Sequence, residues 1–269
     1  MKKFKVAAIQ MNSKDVVSDN LETAGRLFES AAAEGARLIV LPEYANYLST
    51  RKKLEHAESL EGDTIHRYRQ MARRLGIYLN CGSFVEKSDD PGRAFNTSVL
   101  IDPNGEIAAA YRKIHLFDVH IPGQVDSRES KIFKPGNKVV TVDTHLCRMG
   151  FTICYDLRFP EQYRALTDSG ARLIMVPAAF TLYTGKDHWE TLLRARAIEN
   201  QVFIVAAGQF GSHPVGNTCF GGSMVIDPWG TVISRASEGT GYALGTIDPA
   251  VQERIRRSLP CLDHRVSLG

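Results

Sequence analysis

Two stretches of this chain occur twice, and that constrains its fold more than any other feature. Gly35-Ala-Arg-Leu-Ile-Val-Leu-Pro42 returns almost letter for letter as Gly170-Ala-Arg-Leu-Ile-Met-Val-Pro177, and Ser98-Val-Leu-Ile-Asp-Pro-Asn-Gly105 returns as Ser223-Met-Val-Ile-Asp-Pro-Trp-Gly230. Self-similarity at this separation means that one supersecondary unit is built twice. Apolar periodicity supplies the unit's parts. Phe4 to Met11 reads as a strand, and Asn20 to Glu34 as an amphipathic helix with Asp19 in the N-cap position. Arg37 to Leu41 reads as a buried strand closed by Pro42, Asp63 to Leu75 as a helix, and Ile77 to Val85 as a strand. Two further strands flank the hairpin-type turn Asp102-Pro-Asn-Gly105, and Pro160 to Ser169 is the helical segment before the second copy. The economical solution is an α/β chain in which two sheets stack face to face and helices cover both outer faces. No low-complexity linker separates the copies, so residues 1–269 are expected to form a single domain.

Composition narrows the setting. With 33 basic and 30 acidic side chains the net charge is +3, which exerts no general pull toward nucleic acid or membrane. The clusters Arg51-Lys52-Lys53 and Arg254 to Arg257 read as solvated faces. Five cysteines at irregular intervals, with no C-x-x-C pair, argue for a reducing, cytoplasmic compartment rather than a disulfide framework. No run approaches 18 apolar residues, and the N-terminal stretch reads as a strand rather than a targeting segment. Beyond Leu259-Pro260 an extended tail is expected, of a kind that could embrace a second subunit.

The duplication acts as an internal control. What both copies share is needed by the scaffold; what differs at matched positions needs another reason. The first copy continues Pro42-Glu43 where the second continues Pro177-Ala178, and Lys113 follows Asp102 at the spacing that separates Glu238 from Asp227. A charged group just past a buried strand costs desolvation free energy unless it has a partner or a task. Glu43 and Lys113 are candidates on that ground. Cys154 is the third, at the end of the apolar run Gly150-Phe-Thr-Ile-Cys154 and shortly before a helix that opens at Pro160. Such a junction favours thiolate through the helix N-terminus and nearby cations. The competing reading of Cys154, a small buried hydrophobe, stays open at this point. Together the three groups suit amide cleavage: a nucleophile, a general base and a cation for the oxyanion.

Pro42-Glu43-Tyr44, Tyr111-Arg112-Lys113-Ile-His-Leu-Phe117 and Ile153-Cys154-Tyr-Asp-Leu-Arg-Phe-Pro-Glu161 resemble, in this order, the three catalytic segments of the nitrilase, or carbon–nitrogen hydrolase, superfamily. The resemblance extends over essentially the whole chain. It implies a four-layer αββα sandwich with internal pseudo-duplication, a Glu43–Lys113–Cys154 triad, no metal, no organic cofactor and a homodimer. It implies Glu129 as a second glutamate supporting the lysine, and the backbone N–H of Tyr155 as an oxyanion donor. The likeness is nearest to the branch of amidases acting on deaminated glutathione and on ω-amides of 2-oxo acids. Cys154-Tyr155-Asp156 departs from the Cys-Trp-Glu of many true nitrilases, which lowers the expectation of nitrile hydrolysis.

Substrates of that branch carry a carboxylate, so Arg158 is the candidate to bind it, with Phe180 as a further pocket residue. An ion pair of Arg158 with Asp156 or Glu161 is the competing reading. Three acyl groups stay open: deaminated glutathione, a 2-oxo acid ω-amide and, as the alternative, an N-carbamoyl amino acid. A non-catalytic binding protein on the same scaffold is the reading from another class, opposed by the intact triad. The five-residue spacing of His115 and His120 does not make a zinc site, and His188 reads as a packing or hydrogen-bonding residue.

Overall fold

Alternation along the first strand decides how the layers stack. In Phe4–Gln10, Val6 and Ala8 enter a cluster that also holds the second sheet's Leu173, Met175 and Ala206. Ala7 and Ile9 project to the other face, into a cluster with Phe28 of helix α1 (Val17–Ala33) and Tyr68 of helix α2 (Asp63–Leu75). Strands buried on both faces read as near-continuous apolar runs, and Val6 to Ile9 is such a run. The computed structural model describes residues 2–49, 51–214 and 218–266.

The first sheet has seven strands, in the order Gly241–Ile247, Phe4–Gln10, Ala36–Val40, Tyr78–Asn80, Ala94–Ile101 and Phe84–Lys87, with Ile107–Arg112 also paired to Ala94–Ile101. The second has six: Val232–Arg235, Met224–Ile226, Phe203–Gly208, Leu173–Ala178, Arg148–Phe151 and Thr141–Asp143. Helices α3 (Pro160–Asp168) and α4 (Leu182–Asn200) pack on the second sheet, giving the αββα order. The repeat persists at the level of single bonds. Asp102 Oδ1 accepts the N–H groups of Asn104 (2.8 Å) and Glu106 (2.9 Å), as Asp227 Oδ1 accepts those of Trp229 and Thr231 (both 2.9 Å). Arg69 Nε donates to the Gly105 carbonyl at 2.7 Å, and Arg194 Nε to the Gly230 carbonyl at 2.8 Å. Each turn is therefore tied to the helix preceding it by a matched arginine.

The structure departs from the sequence reading in five places. Helix α1 begins at Val17 and has no side-chain cap; Asp19 lies inside its first turn. The neighbouring Asn20 carboxamide instead ties the backbones of Lys14 and Asn46. Strand Gly241–Ile247 leaves its own half and pairs antiparallel with Phe4–Gln10, interlocking the two halves. After helix α5 (Pro249–Ser258) the chain turns, with the N–H groups of Asp263 and His264 both donating to the Pro260 carbonyl, so no extended tail begins there. The last residues of the expected tail, 267–269, lie outside the described ones. In the basic cluster near that end, Arg256 is not a solvated charge: its guanidinium donates to the Gln201 carbonyl at the end of α4.

The fifth departure bears on the site. The strand expected over Ile77 to Val85 is two strands, Tyr78–Asn80 and Phe84–Lys87, broken at Cys81-Gly82-Ser83. Gly82 has φ +64°, and a Cβ there would lie 1.9 Å from the Pro42 carbonyl oxygen. Ser83 Oγ accepts the Tyr44 N–H at 3.1 Å, and its carbonyl accepts the Ala45 N–H at 3.2 Å. The break thus seats the segment that carries Glu43. A Gly82→Ala substitution should destabilise the fold by roughly 2 kcal/mol or more, through positive φ and the backbone clash together. Urea unfolding checks this, and a change below about 0.5 kcal/mol would show that the Pro42 segment relaxes freely.

Candidate active site

Glu43, Lys113 and Cys154 arrive from three different elements. Glu43 follows the strand Ala36–Val40, Lys113 follows the strand Ile107–Arg112, and Cys154 opens the short 3-10 helix Cys154–Arg158. The backbone is left-handed at Cys154 (φ 47°) and at Tyr44 (φ 56°), conformations that β-carbon-bearing residues hold only where surroundings impose them. At Cys154 the imposing group is Asp156. Fully buried, its carboxylate accepts the Ile153 N–H (2.8 Å), the Tyr111 hydroxyl (2.7 Å), the His115 N–H (3.1 Å) and a hydrogen bond with His115 Nδ1 (2.8 Å). One carboxylate therefore fastens the turn bearing the cysteine to the segment just after Lys113.

At the centre, Lys113 Nζ lies 3.0 Å from Glu43 Oε1 and 2.9 Å from Glu129 Oε2, with all three side chains almost fully enclosed. Asn96 Nδ2 donates to Glu43 Oε1 at 2.8 Å and lies 3.1 Å from Glu129 Oε1, so it bridges the two glutamates. The Ala179 N–H donates to Glu43 Oε2 at 2.9 Å. Glu129 also accepts the Tyr44 hydroxyl (2.9 Å) and the Phe117 N–H (2.7 Å). Burial pushes the Glu129 carboxyl up, but Lys113 and the Phe117 N–H overcome it and hold the pKa at about 2. Burial likewise acts against the Lys113 ammonium, and the charges of Glu129 and Glu43 outweigh it, leaving its pKa well above the ordinary lysine value. Cys154 goes the other way from the sequence expectation. Burial, and then the Glu43 charge, push its pKa well up, and Lys113 does not compensate. Burial and the Glu43 carboxylate thus both favour the thiol form over the thiolate.

These residues border one cavity of about 270 Å³, and Glu129, Tyr155, Arg158 and Phe180 line it too. Arg158 forms neither expected ion pair: its guanidinium stands 3.2 Å from His188 Nδ1 and lies over the Phe180 ring at 5.1 Å. Asp156 is engaged with His115 instead. Among the described residues no group of three or more His, Cys, Asp or Glu side chains could hold a metal ion, and no helix is long and apolar enough to cross a membrane. Sequence reasoning passed over Asn96 and read Lys53 as a solvated charge, whereas its ammonium lies 4.1 Å from the centre of the Tyr44 ring and lines this cavity. A polar run, Asn96-Thr97-Ser98, inside a buried strand was a usable signal for the first; nothing local distinguishes Lys53 from its basic neighbours.

With this geometry in hand, known proteins bear on it. The pattern described as carbon–nitrogen hydrolase matches residues 5–257. The chain belongs to the carbon–nitrogen hydrolase family. It is 42% identical to the deaminated glutathione amidase of Mus musculus over 266 residues, which is 97% of this chain and 82% of that protein. It is 37% identical to the omega-amidase NIT2 of Homo sapiens over 97% of this chain and 94% of that one. The crystal structure of Saccharomyces cerevisiae Nit3, a member of branch 10 of the nitrilase superfamily, superposes with a TM-score of 0.87 at 30% identity, covering 96% of this chain and 95% of that one. As a carbon–nitrogen hydrolase, the chain is an enzyme.

The ion cluster makes stability pH-dependent in a defined direction. Because the folded pKa of Glu129 lies below its unfolded value, its contribution is complete above about pH 4.5 and is lost as pH falls through about 2. Glu129→Gln should cost roughly 3–5 kcal/mol at pH 7, since a buried ammonium loses one of its two carboxylates. It should also flatten the stability profile between about pH 2 and 4.5. Denaturant titrations across that range test both, and an unaltered acid limb would remove Glu129 as its source.

Proposed function

We propose that this hydrolase cleaves small carboxylated amides to acid and ammonia or amine through a cysteine thioester, with Glu43, Lys113 and Cys154 as the reacting groups. The observation that carries the reading is the meeting of thiol, carboxylate and buried ammonium in one cavity, in a chain of this family. As Cys154 Sγ attacks the carbonyl carbon, Glu43 takes the thiol proton, which removes the obstacle that burial places on ionisation. Glu43 can do so without moving, because Lys113, Asn96 and the Ala179 N–H fix its position while each carboxylate oxygen retains acceptor capacity. The tetrahedral oxyanion is stabilised by the Lys113 ammonium and by the Tyr155 N–H, a donor that the first turn of a helix leaves without an intrahelical acceptor. Glu43 then returns the proton to the leaving nitrogen. In the second half-reaction Glu43 activates a water that hydrolyses the thioester. Glu129 holds Lys113 in place.

The likeness to deaminated glutathione amidases and to an omega-amidase supports a substrate whose acyl part carries a carboxylate, and the cavity places the Arg158 cation without a carboxylate partner among the described residues. Deaminated glutathione ranks first and a 2-oxo acid ω-amide second. The same reading takes residues 1–269 as one carbon–nitrogen hydrolase domain, supported by the crossing strand Gly241–Ile247. It includes a cytoplasmic location, supported by five unbridged cysteines, and a homodimer, supported by the exposed Trp229 and Ile198 where the second turn meets α4.

Cys154→Ala should reduce ammonia release from such amides to background while far-UV circular dichroism stays unchanged. Glu43→Gln should lower kcat by roughly 10²–10⁴-fold. Retention of wild-type turnover by the first variant sinks the nucleophile; retention by the second reassigns the base.

A further inference from the structure

Among the described residues His115 belongs to no metal-binding group, and it is not part of the wall of the catalytic cavity. Its ring is nevertheless held on two sides. Nδ1 lies 2.8 Å from Asp156 Oδ1, the oxygen that also accepts the His115 peptide N–H at 3.1 Å. A carboxylate oxygen in that position accepts, so Nδ1 carries the hydrogen. The flat of the ring stacks on Phe159, with centroids 3.6 Å apart and planes 6° from parallel. Two residues after Lys113, the chain therefore grips the turn Cys154–Arg158 at Asp156 inside it and at Phe159 just beyond it.

The contact extends toward the cavity. Phe159 meets the Tyr155 ring edge-on at 5.4 Å, and Tyr155 meets Phe117 in the same way at 5.0 Å. His115 and Phe117, from the segment after Lys113, thus interlock with Tyr155 and Phe159, from the segment after Cys154. Phe117 is fixed in turn by its N–H on Glu129 Oε2 at 2.7 Å. Tyr155 and Phe117 line the cavity, and His115 and Phe159 support them from outside it. Asp156 Oδ2 takes the Ile153 N–H and the Tyr111 hydroxyl, but among the described residues Oδ1 has only the two N–H groups of His115. Because Asp156 is fully buried, loss of the imidazole leaves that oxygen short of a donor, a cost the carboxylate can relieve only by moving.

We infer that His115 is a positioning residue for the oxyanion site: by its bond to Asp156 and its stack on Phe159 it sets the separation between the Tyr155 N–H and the Lys113 ammonium. This rests on the amidase reading, in which those two donors face the oxyanion, and adds to it a residue that touches neither substrate nor sulfur. A misplacement of about 1 Å can cost roughly 10²-fold in rate. The loss should fall on kcat rather than KM, because the oxyanion forms only after attack.

The test compares wild type, His115→Phe, His115→Asn and Phe159→Leu in two assays. One is steady-state hydrolysis of a small amide with an acyl carboxylate. The other is labelling of Cys154 by methyl methanethiolsulfonate, followed by peptide mass spectrometry, a reaction at sulfur that forms no oxyanion. Wild-type inactivity on the amide would refute the amidase reading itself. Given turnover, His115→Phe, which keeps a flat ring without a donor, should lower kcat at least about 10-fold. Its KM and its labelling rate should each stay within about threefold of wild type. His115→Asn, whose amide nitrogen can replace Nδ1, should recover most of the loss. Phe159→Leu, which removes the stack alone, should lower kcat at least about threefold at an unchanged labelling rate, and this variant carries the test if His115→Phe does not fold. Smaller falls in kcat overturn the inference, as does a loss carried by KM. So does a labelling rate that falls in step with kcat, which would make His115 a support of the thiol or of the fold. A His115→Asn variant as slow as His115→Phe also overturns it.

Discussion

A lysine ammonium enclosed between two carboxylates is the constraint around which the rest of this molecule is arranged. Removing Lys113, Glu43 and Glu129 from water carries a desolvation cost that only close and well-directed pairing offsets. The pairing requires three segments far apart in sequence to converge within about 3 Å, and the structure spends much of its loop architecture on that convergence. Asn96 spans the two glutamates, Ala179 and Phe117 supply backbone donors, and the Gly82 break seats the Glu43 segment.

The same ion cluster acts on Cys154, the proposed nucleophile. A thiol beside an ammonium alone would ionise easily, but here burial opposes ionisation most, and the Glu43 charge outweighs that of Lys113. The site therefore favours the thiol over the thiolate, which in the proposed mechanism makes proton transfer to Glu43 part of the attack. This suits an enzyme whose nucleophile should be unreactive until a carbonyl occupies the cavity. It also separates roles that proximity alone would confuse: Glu43 faces the sulfur, whereas Glu129, with its pKa held at about 2, serves Lys113.

Asp156 illustrates how positioning reaches beyond the reacting groups. Its carboxylate has no solvent exposure, and its partners are Ile153 just before Cys154, Tyr111 two residues before Lys113 and His115 two residues after it. The segments carrying Cys154 and Lys113, the proposed nucleophile and oxyanion cation, are thereby joined through one carboxylate, and the left-handed backbone at Cys154 is maintained by bonds that do not involve the sulfur.

The chain's letters were sufficient for its layers and for naming the charged exceptions. A duplicated apolar strand and a duplicated Asp-Pro-x-Gly turn specify two sheets, because such local patterns act through periodicity and turn chemistry that each segment carries within itself. The mismatch of Glu43 with Ala178 singled out a carboxylate for the same reason: equivalent scaffold positions can be compared without coordinates. Tertiary structure alone decided the direction of Lys53, the partners of Asp156, the crossing of Gly241–Ile247 into the first sheet and the burial of Cys154 beside Glu43. Each of these depends on which distant groups share a small, water-poor volume, and electrostatics there is set by separation and burial, quantities that no local stretch of sequence encodes.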